Sequence, residues 1–501
     1  MWPGDAMSLV ETSGVPVVWH RFAKRGLSVA MSGLLAVVIS GCAPSVEVRN
    51  KSFPVAADWS EQVRQNQNAP HASQLSWRSY VAYPPLQSLI ETALGNNRDL
   101  QMALLRVEEA QAIYGIQRSE LFPTLGVDGQ AGRARVPGDM NPSGRSAVGG
   151  DYGLNVGLSS WELDLWGRVR SLKEAALQEY LATEQARQAV QVALVAEVAH
   201  AYLGLRELDE RLALTKQTIA SREESFRIFS RRHQVGSTSA FDLAQVETLL
   251  IQARTLGTQL EQARAQQAHA LTLLVGAPVK LPSIQDTEQA LRDDAVFAEL
   301  SAGLPADLLV TRPDIMAAEH QLVAARANIT AARAAFLPRI ALTGNWGTAS
   351  AELDGLFDVG SRAWTFMPTI SLPIFDGGRR QAGLDLAQVR SNLAVANYEK
   401  TIQVAFREVA DALSARQWLT QQVEQQRTAL EVQTRRAYLA QLRYDSGAAA
   451  YLEVLDAQRD LLAAQQQLVQ VRRLLLDSQI ALYAALGGGN SDAATSSTIT
   501  P

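Results

Sequence analysis

The chain has 501 residues, 46 of them Lys or Arg and 51 Asp or Glu, for a formal net charge of −5. With no basic excess and no basic block, it presents nothing that would hold a nucleic-acid backbone. Its six histidines and one cysteine are scattered along the chain, which spells out neither a disulfide framework nor a metal site of ordinary ligand spacing.

The first feature in chain order lies near the N-terminus. Arg21, Lys24 and Arg25 precede a short apolar run, Leu27–Ile39, which ends in Ile39-Ser40-Gly41-Cys42. The run is too short to span a bilayer comfortably. A basic stretch, an apolar stretch and small residues at the cut are the parts of an export signal, so residues 1–41 are expected to be a signal peptide. Met1–His20 fits neither part, which points to a start downstream, at Met7 for example. The Cys directly after the small residues resembles the lipobox of bacterial lipoproteins, and the resemblance implies a covalent N-terminal lipid on Cys42. An ordinary signal peptide followed by an unrelated Cys is the alternative. Ala43 stands where lipoproteins retained at the inner membrane carry Asp, so the implied address is the outer membrane. Residues 42–83 then form a polar, lipidated N-terminal segment.

From there the chain repeats itself. Leu121-Phe122-Pro123 returns as Phe336-Leu337-Pro338, and Asp164-Leu165-Trp166-Gly167-Arg168 returns as Phe375-Asp376-Gly377-Gly378-Arg379. Gly167 and Gly378, Gly236 and Gly447, and Gly276 and Gly487 are each separated by 211 positions. A period this long denotes a duplicated domain rather than a solenoid repeat. The first copy is expected over residues 84–276, the second over 277–487, and a Gly/Ser/Thr-rich disordered tail over 488–501.

Within each copy the spacing predicts a helix, two extended segments, a very long helix, a glycine turn and a return helix. Arg168–Gln234 and Arg379–Tyr444 lack proline and carry apolar residues at helical spacing, as in Val190, Leu194, Val198 and Ala201. Such a helix is about 100 Å long at about 1.5 Å per residue, too long for a compact globule. Taken alone, these helices would also suit a coiled-coil spacer.

The extended segments argue for something else. Tyr152, Leu154, Val156 and Leu158 alternate with small or polar residues, as do Trp364, Phe366, Pro368, Ile370 and Leu372. Strands are expected at about 121–133, 151–164, 338–348 and 363–374, with exposed loops over Gly132–Gly150 and Thr348–Arg362. This alternation fits a transmembrane β-barrel or a half-buried soluble sheet, and the expected export and outer-membrane address favour the barrel. Four strands cannot close around a lumen, and an open sheet edge in lipid is too costly. The barrel must therefore be assembled from several chains; three would supply twelve strands.

These features together resemble the outer-membrane efflux proteins, the TolC-like family, in its lipidated branch serving RND-type multidrug pumps. The motifs that carry the resemblance are the lipobox, the duplicated helix–hairpin–helix units, Phe-Leu-Pro before the strands and Leu455-Asp456-Ala457-Gln458 after the glycine turn. The resemblance implies a mainly α chain forming a homotrimer. A twelve-stranded transmembrane β-barrel, four strands per chain, continues into a long periplasmic α-helical barrel. It further implies a periplasmic adaptor, an inner-membrane transporter and outer-membrane lipids as partners, with no nucleic acid. The expected function is a passive conduit for drugs or other small molecules. Type I protein secretion, metal efflux and a lipid-anchored structural rod are the alternatives. No catalytic constellation is present, so no enzyme and no cofactor beyond the lipid is expected.

Polar residues of interest gather at the glycine turns. Glu453 and Asp456 lie three apart at the start of a helix and can point the same way. The resemblance implies a periplasmic gate made by Asp456, Glu453 and Tyr444, with Asp242 as the weaker first-copy candidate. The Arg that some relatives carry after the glycine is replaced here by Ala448-Ala449-Ala450, which leaves Arg443 or Arg435 to pair with the acids. Helix-end capping is the competing role for these carboxylates. Gly167, Arg168, Gly377, Gly378 and Arg379 are assigned to the strand-to-helix transitions, and Gly236 and Gly447 to the turns, where glycine accepts a left-handed backbone.

Overall fold

In a computed structural model of the chain, the described residues are 70–72, 75–280, 296–303 and 307–489. The signal peptide, Cys42, most of the 42–83 segment and the tail from residue 490 lie outside them. A short helix, α1 (Trp77–Tyr80), and α2 (Pro84–Asn96) lead into α3 (Arg98–Ser119). Two strands follow, β1 (Leu125–Val136) and β2 (Ala147–Glu162), then the long α4 (Arg168–Gln234) and its return helix α5 (Ala240–Val275). The second copy runs α6 (Leu308–Thr311), α7 (Pro313–Ala334), β3 (Arg339–Ser350), β4 (Arg362–Ser371), α8 (Arg379–Asp445) and α9 (Tyr451–Ala485).

Local chemistry sets the helix ends. Asn97 caps α3 by accepting the Leu100 amide, and Pro84 and Pro313 occupy first turns, where a missing N–H costs nothing. Gly276 ends α5 in the left-handed region at φ 70°, against the carbonyl of Asn96, where any Cβ would collide. Both α4 and α8 have 67 residues. They need neighbours along their whole length, because isolated helices gain most of their stability from packing. One half of α4 lies on α3 and α7, the other on α5 and α9; α8 is covered by α7 and then by α9.

The core forms where these columns meet. Leu86 and Ile90 of α2, Val198, Tyr202 and Leu205 of α4, Leu271 of α5, Ile402 and Val409 of α8, and Ile480 and Tyr483 of α9 belong to one buried cluster. Tyr80 stacks on Tyr483 at 4.4 Å and 5° and on Phe297 at 5.3 Å, while its hydroxyl donates to the Gln479 carbonyl at 2.8 Å. The described end of the N-terminal segment is thus pinned into this belt. Among the described helices, α4 alone is long and apolar enough to cross a membrane. Its apolar stretch, including Leu194, Val195, Val198 and Leu203, is instead buried against its neighbours. Nearby, the fully buried Asp209 of α4 accepts from Arg264 of α5, so the charge is paired where burial would otherwise be costly.

The strands make one antiparallel sheet in the order β1-β2-β3-β4. Opposed residues share a face. One face carries Leu125, Val127, Leu154, Val156, Trp346, Trp364, Phe366 and Ile370, and the other carries Asp128, Gln130, Asn155, Asn345, Thr365 and Thr369. The apolar face is bare, with Trp364 72% and Ile370 70% exposed. A bulge between Leu158 and Trp161, with Ser160 at φ 44°, inserts one extra residue and keeps Trp161 on the apolar side opposite Leu342.

Several expected boundaries move. The chain turns through Leu121 and Phe122 at the end of α3, so β1 begins at Leu125 rather than near 121. It extends to Val136, and β2 starts at Ala147, both inside the stretch expected as loop. The glycines there are ladder residues: Gly132 pairs with Asp151, Arg133 with Gly150 and Ala134 with Gly149. β2 ends at Glu162, β3 runs on to Ser350, β4 stops at Ser371, and α8 includes Asp445.

Candidate functional site: the hairpin tips and the strand–helix joints

The two helical hairpins, α4–α5 and α8–α9, end in turns of the same design. Gly236 and Gly447 take φ values of 75° and 73°, which lets each long helix close before the return helix starts. The side chains around the turns are not equivalent. Arg232 donates to the Tyr444 hydroxyl at 2.5 Å, joining one hairpin to the other. Tyr451, at the start of α9, donates to the Ser225 hydroxyl at 2.9 Å and packs on Phe229 at 4.5 Å and on Tyr444 at 4.8 Å. Burial pushes the Tyr451 hydroxyl above its ordinary pKa, so it remains a neutral donor. Leu455 enters a small apolar cluster with Phe229 and Val246, and Val454 and Ala457 enter another with Ala440.

The acids of the second tip each meet an arginine. Glu453 pairs with Arg443 at 3.0 Å, and Asp456 pairs with Arg459 at 3.0 Å. Asp460 receives Arg436 at 2.6 Å and Arg459 at 3.1 Å, and the Arg436 hydrogen bond holds its carboxyl below the ordinary range. In the first tip Asp242 instead closes a capping box. It accepts from the Ser239 hydroxyl at 2.7 Å while Ser239 accepts the Asp242 amide, and those hydroxyl bonds lower its pKa. Asp242 therefore faces its own helix start, whereas Tyr444, Glu453 and Asp456 lie at the second tip. Arg232, Tyr451, Ser225 and Arg436 were not singled out from sequence. The one available signal was the repeat itself, since positions 211 apart set Arg232 against Arg443 and Ser225 against Arg436.

At the opposite end, Gly167 and Gly378 precede α4 and α8 with φ 75° and 87°, and Gly377 has φ 64°. The caps are aspartates. Asp164 accepts the amides of Val169 at 3.1 Å and Arg170 at 2.8 Å, and Asp376 accepts those of Gly378 and Arg380 at 3.2 Å. Burial alone would raise the Asp164 pKa; the amides and Arg170 outweigh it and leave the carboxyl below its ordinary range. Arg168 grips Glu162 through two bonds of 2.8 Å, Arg339 reaches the same carboxylate at 2.7 Å, and Trp166 donates to the Pro338 carbonyl at 2.7 Å. The Arg339 and Trp166 contacts join the two repeats. Arg379 is exposed and has no such carboxylate grip among the described residues.

The described residues hold no cluster of three or more His, Cys, Asp or Glu able to bind a metal. What the arrangement offers is a sheet with one apolar and one polar face, long helical columns, and a tip whose hairpins are linked by the exposed Arg232–Tyr444 bond and the half-buried Tyr451–Ser225 bond.

The chain matches the family model described as Outer membrane efflux protein over residues 89–277 and 304–488. It is 44% identical over 467 residues to the toluene efflux pump outer membrane protein TtgF of Pseudomonas putida, covering 92% of this chain and 96% of that one. A crystal structure of a membrane protein from Pseudomonas aeruginosa superposes with TM-score 0.82 at 41% identity, covering 89% of this chain and 98% of that one. The open state of the Neisseria gonorrhoeae MtrE outer membrane channel superposes with TM-score 0.76 at 36% identity, over 87% and 98% of the two chains.

Proposed function

Because the chain belongs to the outer membrane efflux protein family, we infer that it is the outer-membrane channel of a tripartite RND-type efflux system, conducting drugs and other small molecules outward. The observation that carries this reading is the sheet. Four strands with free edges at β1 and β4, bare and apolar on one face, cannot exist alone in lipid. Three copies pairing β4 to β1 close a twelve-stranded barrel with the apolar face toward lipid and the Asp128, Asn155, Asn345 and Thr365 face toward the lumen. The helical columns continue the conduit through the periplasm toward an adaptor and an inner-membrane transporter.

The periplasmic end is the gate. Arg232–Tyr444 and Tyr451–Ser225 tie the α8–α9 hairpin to α4, and the Glu453 and Asp456 pairs fix the start of α9. Opening requires the hairpins to separate, and these bonds are the ones that must break. Anchoring by a lipid on Cys42 belongs to the same reading and is supported by the Ile39-Ser40-Gly41-Cys42 sequence.

The test is complementation. Expressed with its adaptor and pump in a strain lacking its own outer-membrane channel, the chain should restore efflux of a fluorescent dye and lower toluene and antibiotic sensitivity. Efflux unchanged by the chain, with a stable trimer in the outer membrane, would refute the conduit.

A further inference from the structure

The loop end of the sheet carries charges that conduction leaves unused. Arg133 and Arg135 lie in the last four residues of β1, and Arg362 is the first residue of β4. Arg133 stands opposite Gly150, Arg135 opposite Val148 and Arg362 opposite Thr348. By the alternation of the strands, all three belong to the same face as Val127, Trp346 and Phe366. They are exposed, and none has an ion-pair partner among the described residues; Arg135 reaches only the Ser146 hydroxyl, at 3.4 Å.

Register fixes their depth. Trp346 and Trp364 are cross-strand partners, and Arg362 lies two residues past Trp364 on the side away from the helices, about 7 Å along the strand. Aromatic girdles mark the membrane–water interface of such barrels, so a guanidinium just beyond the tryptophans sits at headgroup depth. The acids of this rim are elsewhere. Asp151 is on the lumen face, opposite Gly132, and accepts from Gln130, while Asp139, Glu352, Asp354 and Asp358 lie in the turns beyond the strand ends. Since β1 and β4 are the two edges of the sheet, closure places Arg362 of one subunit beside the outer end of the next subunit's β1, which carries Arg133 and Arg135. Three cations then share one seam on the lipid side.

We propose that this arginine triplet, repeated at each subunit seam, binds the phosphates of the anionic glycolipid that fills the outer leaflet, with its acyl chains against Trp364 and Phe366. The assignment rests on the closed barrel described above. Guanidinium groups bind phosphate through paired, charge-assisted hydrogen bonds, and clusters of basic residues at a membrane surface select anionic headgroups. The competing use of the arginines is an ion-pair contact with the acidic β3–β4 turn of a neighbouring subunit.

Native mass spectrometry of the full-length trimer, purified free of lipid, tests this directly. Diphosphoryl lipid A, the same lipid dephosphorylated, and inorganic phosphate are the probes. The wild type should retain diphosphoryl lipid A and release the dephosphorylated lipid, with excess inorganic phosphate competing only weakly because it lacks the acyl chains. The variant combining Arg133→Ala, Arg135→Ala and Arg362→Ala should remain trimeric and lose affinity on the order of a hundredfold, and the matching Lys variant should recover part of it. Equal retention of phosphorylated and dephosphorylated lipid by the wild type overturns the proposal without reference to any variant. So does an Ala variant that keeps the lipid, or one that falls apart to monomers in lipid-free detergent, which would show the arginines spent on subunit contacts. A wild type that is itself monomeric would instead refute the closed barrel.

Discussion

The Arg232 guanidinium donates to the Tyr444 hydroxyl across 2.5 Å, and with this bond the first helical hairpin holds the second at their common tip. The contact is exposed, so it is worth about 1 kcal/mol rather than the larger value of a buried charged bond. A weak link suits the gate proposed here, which must hold at rest and yet yield to a partner. Arg232→Ala and Tyr444→Phe should each raise the resting single-channel conductance in planar bilayers and leave the trimer intact. Because both changes remove the same bond, the double variant should add little to either single one. Additive effects would show that the two side chains act separately.

The paired acids lead to a second expectation. Glu453 and Asp456 are neutralised by Arg443 and Arg459, so replacing both acids by Ala removes two negative charges at each tip, frees Arg443 and leaves Arg459 with Asp460 alone. The channel mouth should then shift toward anion preference as well as conduct more at rest. Reversal potentials in a salt gradient measure this. Unaltered selectivity would place the constriction at other residues.

Tyr80 should matter for stability rather than gating. Tyr80→Ala removes the stack on Tyr483 and Phe297 and opens a cavity in the central belt, at a cost of about 3–5 kcal/mol. Tyr80→Phe keeps the stack but removes the hydroxyl bond to the Gln479 carbonyl, which retains its place in the helix, costing about 1 kcal/mol. Thermal unfolding of the purified trimer should rank wild type above Phe and Phe above Ala.

The aspartate caps give a pH dependence of definite sign. Asp164 and Asp376 have pKa values held below the ordinary 3.8. A carboxyl depressed in the folded state contributes its stability above its unfolded pKa and loses it as pH falls through the folded one. The strand–helix joints should therefore weaken only in acid, below about pH 4. In Asp164→Asn the acid-induced loss should be smaller, with lower stability at neutral pH, as read from unfolding temperatures across pH 2–7. A parallel shift of both curves would remove Asp164 from the linkage.

Cys42→Ser should abolish incorporation of labelled palmitate while leaving trimers in the outer membrane, because the closed barrel holds itself in lipid. Label persisting in the variant would dismiss the lipobox.

Much of the architecture was legible because it depends on local periodicity and on duplication. The run from Arg168 to Gln234 has no proline and a helical stripe, and the landmark glycines recur at 211, so the long helices, their turns and the two copies follow from the one-dimensional pattern. Counting four alternating segments was enough to demand an oligomer, since unpaired strand edges are excluded from lipid whatever their side chains. Strand ends were less legible: Gly132, Gly149 and Gly150 read as loop residues by composition, yet cross-strand hydrogen bonding carries them into the sheet. Among the polar partners only Arg443 for Glu453 was within reach of the sequence, because both lie at one turn; the links between the hairpins could not be read. Arg232 and Tyr444 are 212 residues apart and Tyr451 and Ser225 are 226 apart, and nothing in the sequence sets which faces of two hairpins meet. Likewise Asp242 and Glu453 occupy equivalent positions of the two copies, but one caps its own helix and the other pairs with Arg443. A carboxylate at a helix start has both options, and only the neighbours that packing brings within reach decide between them.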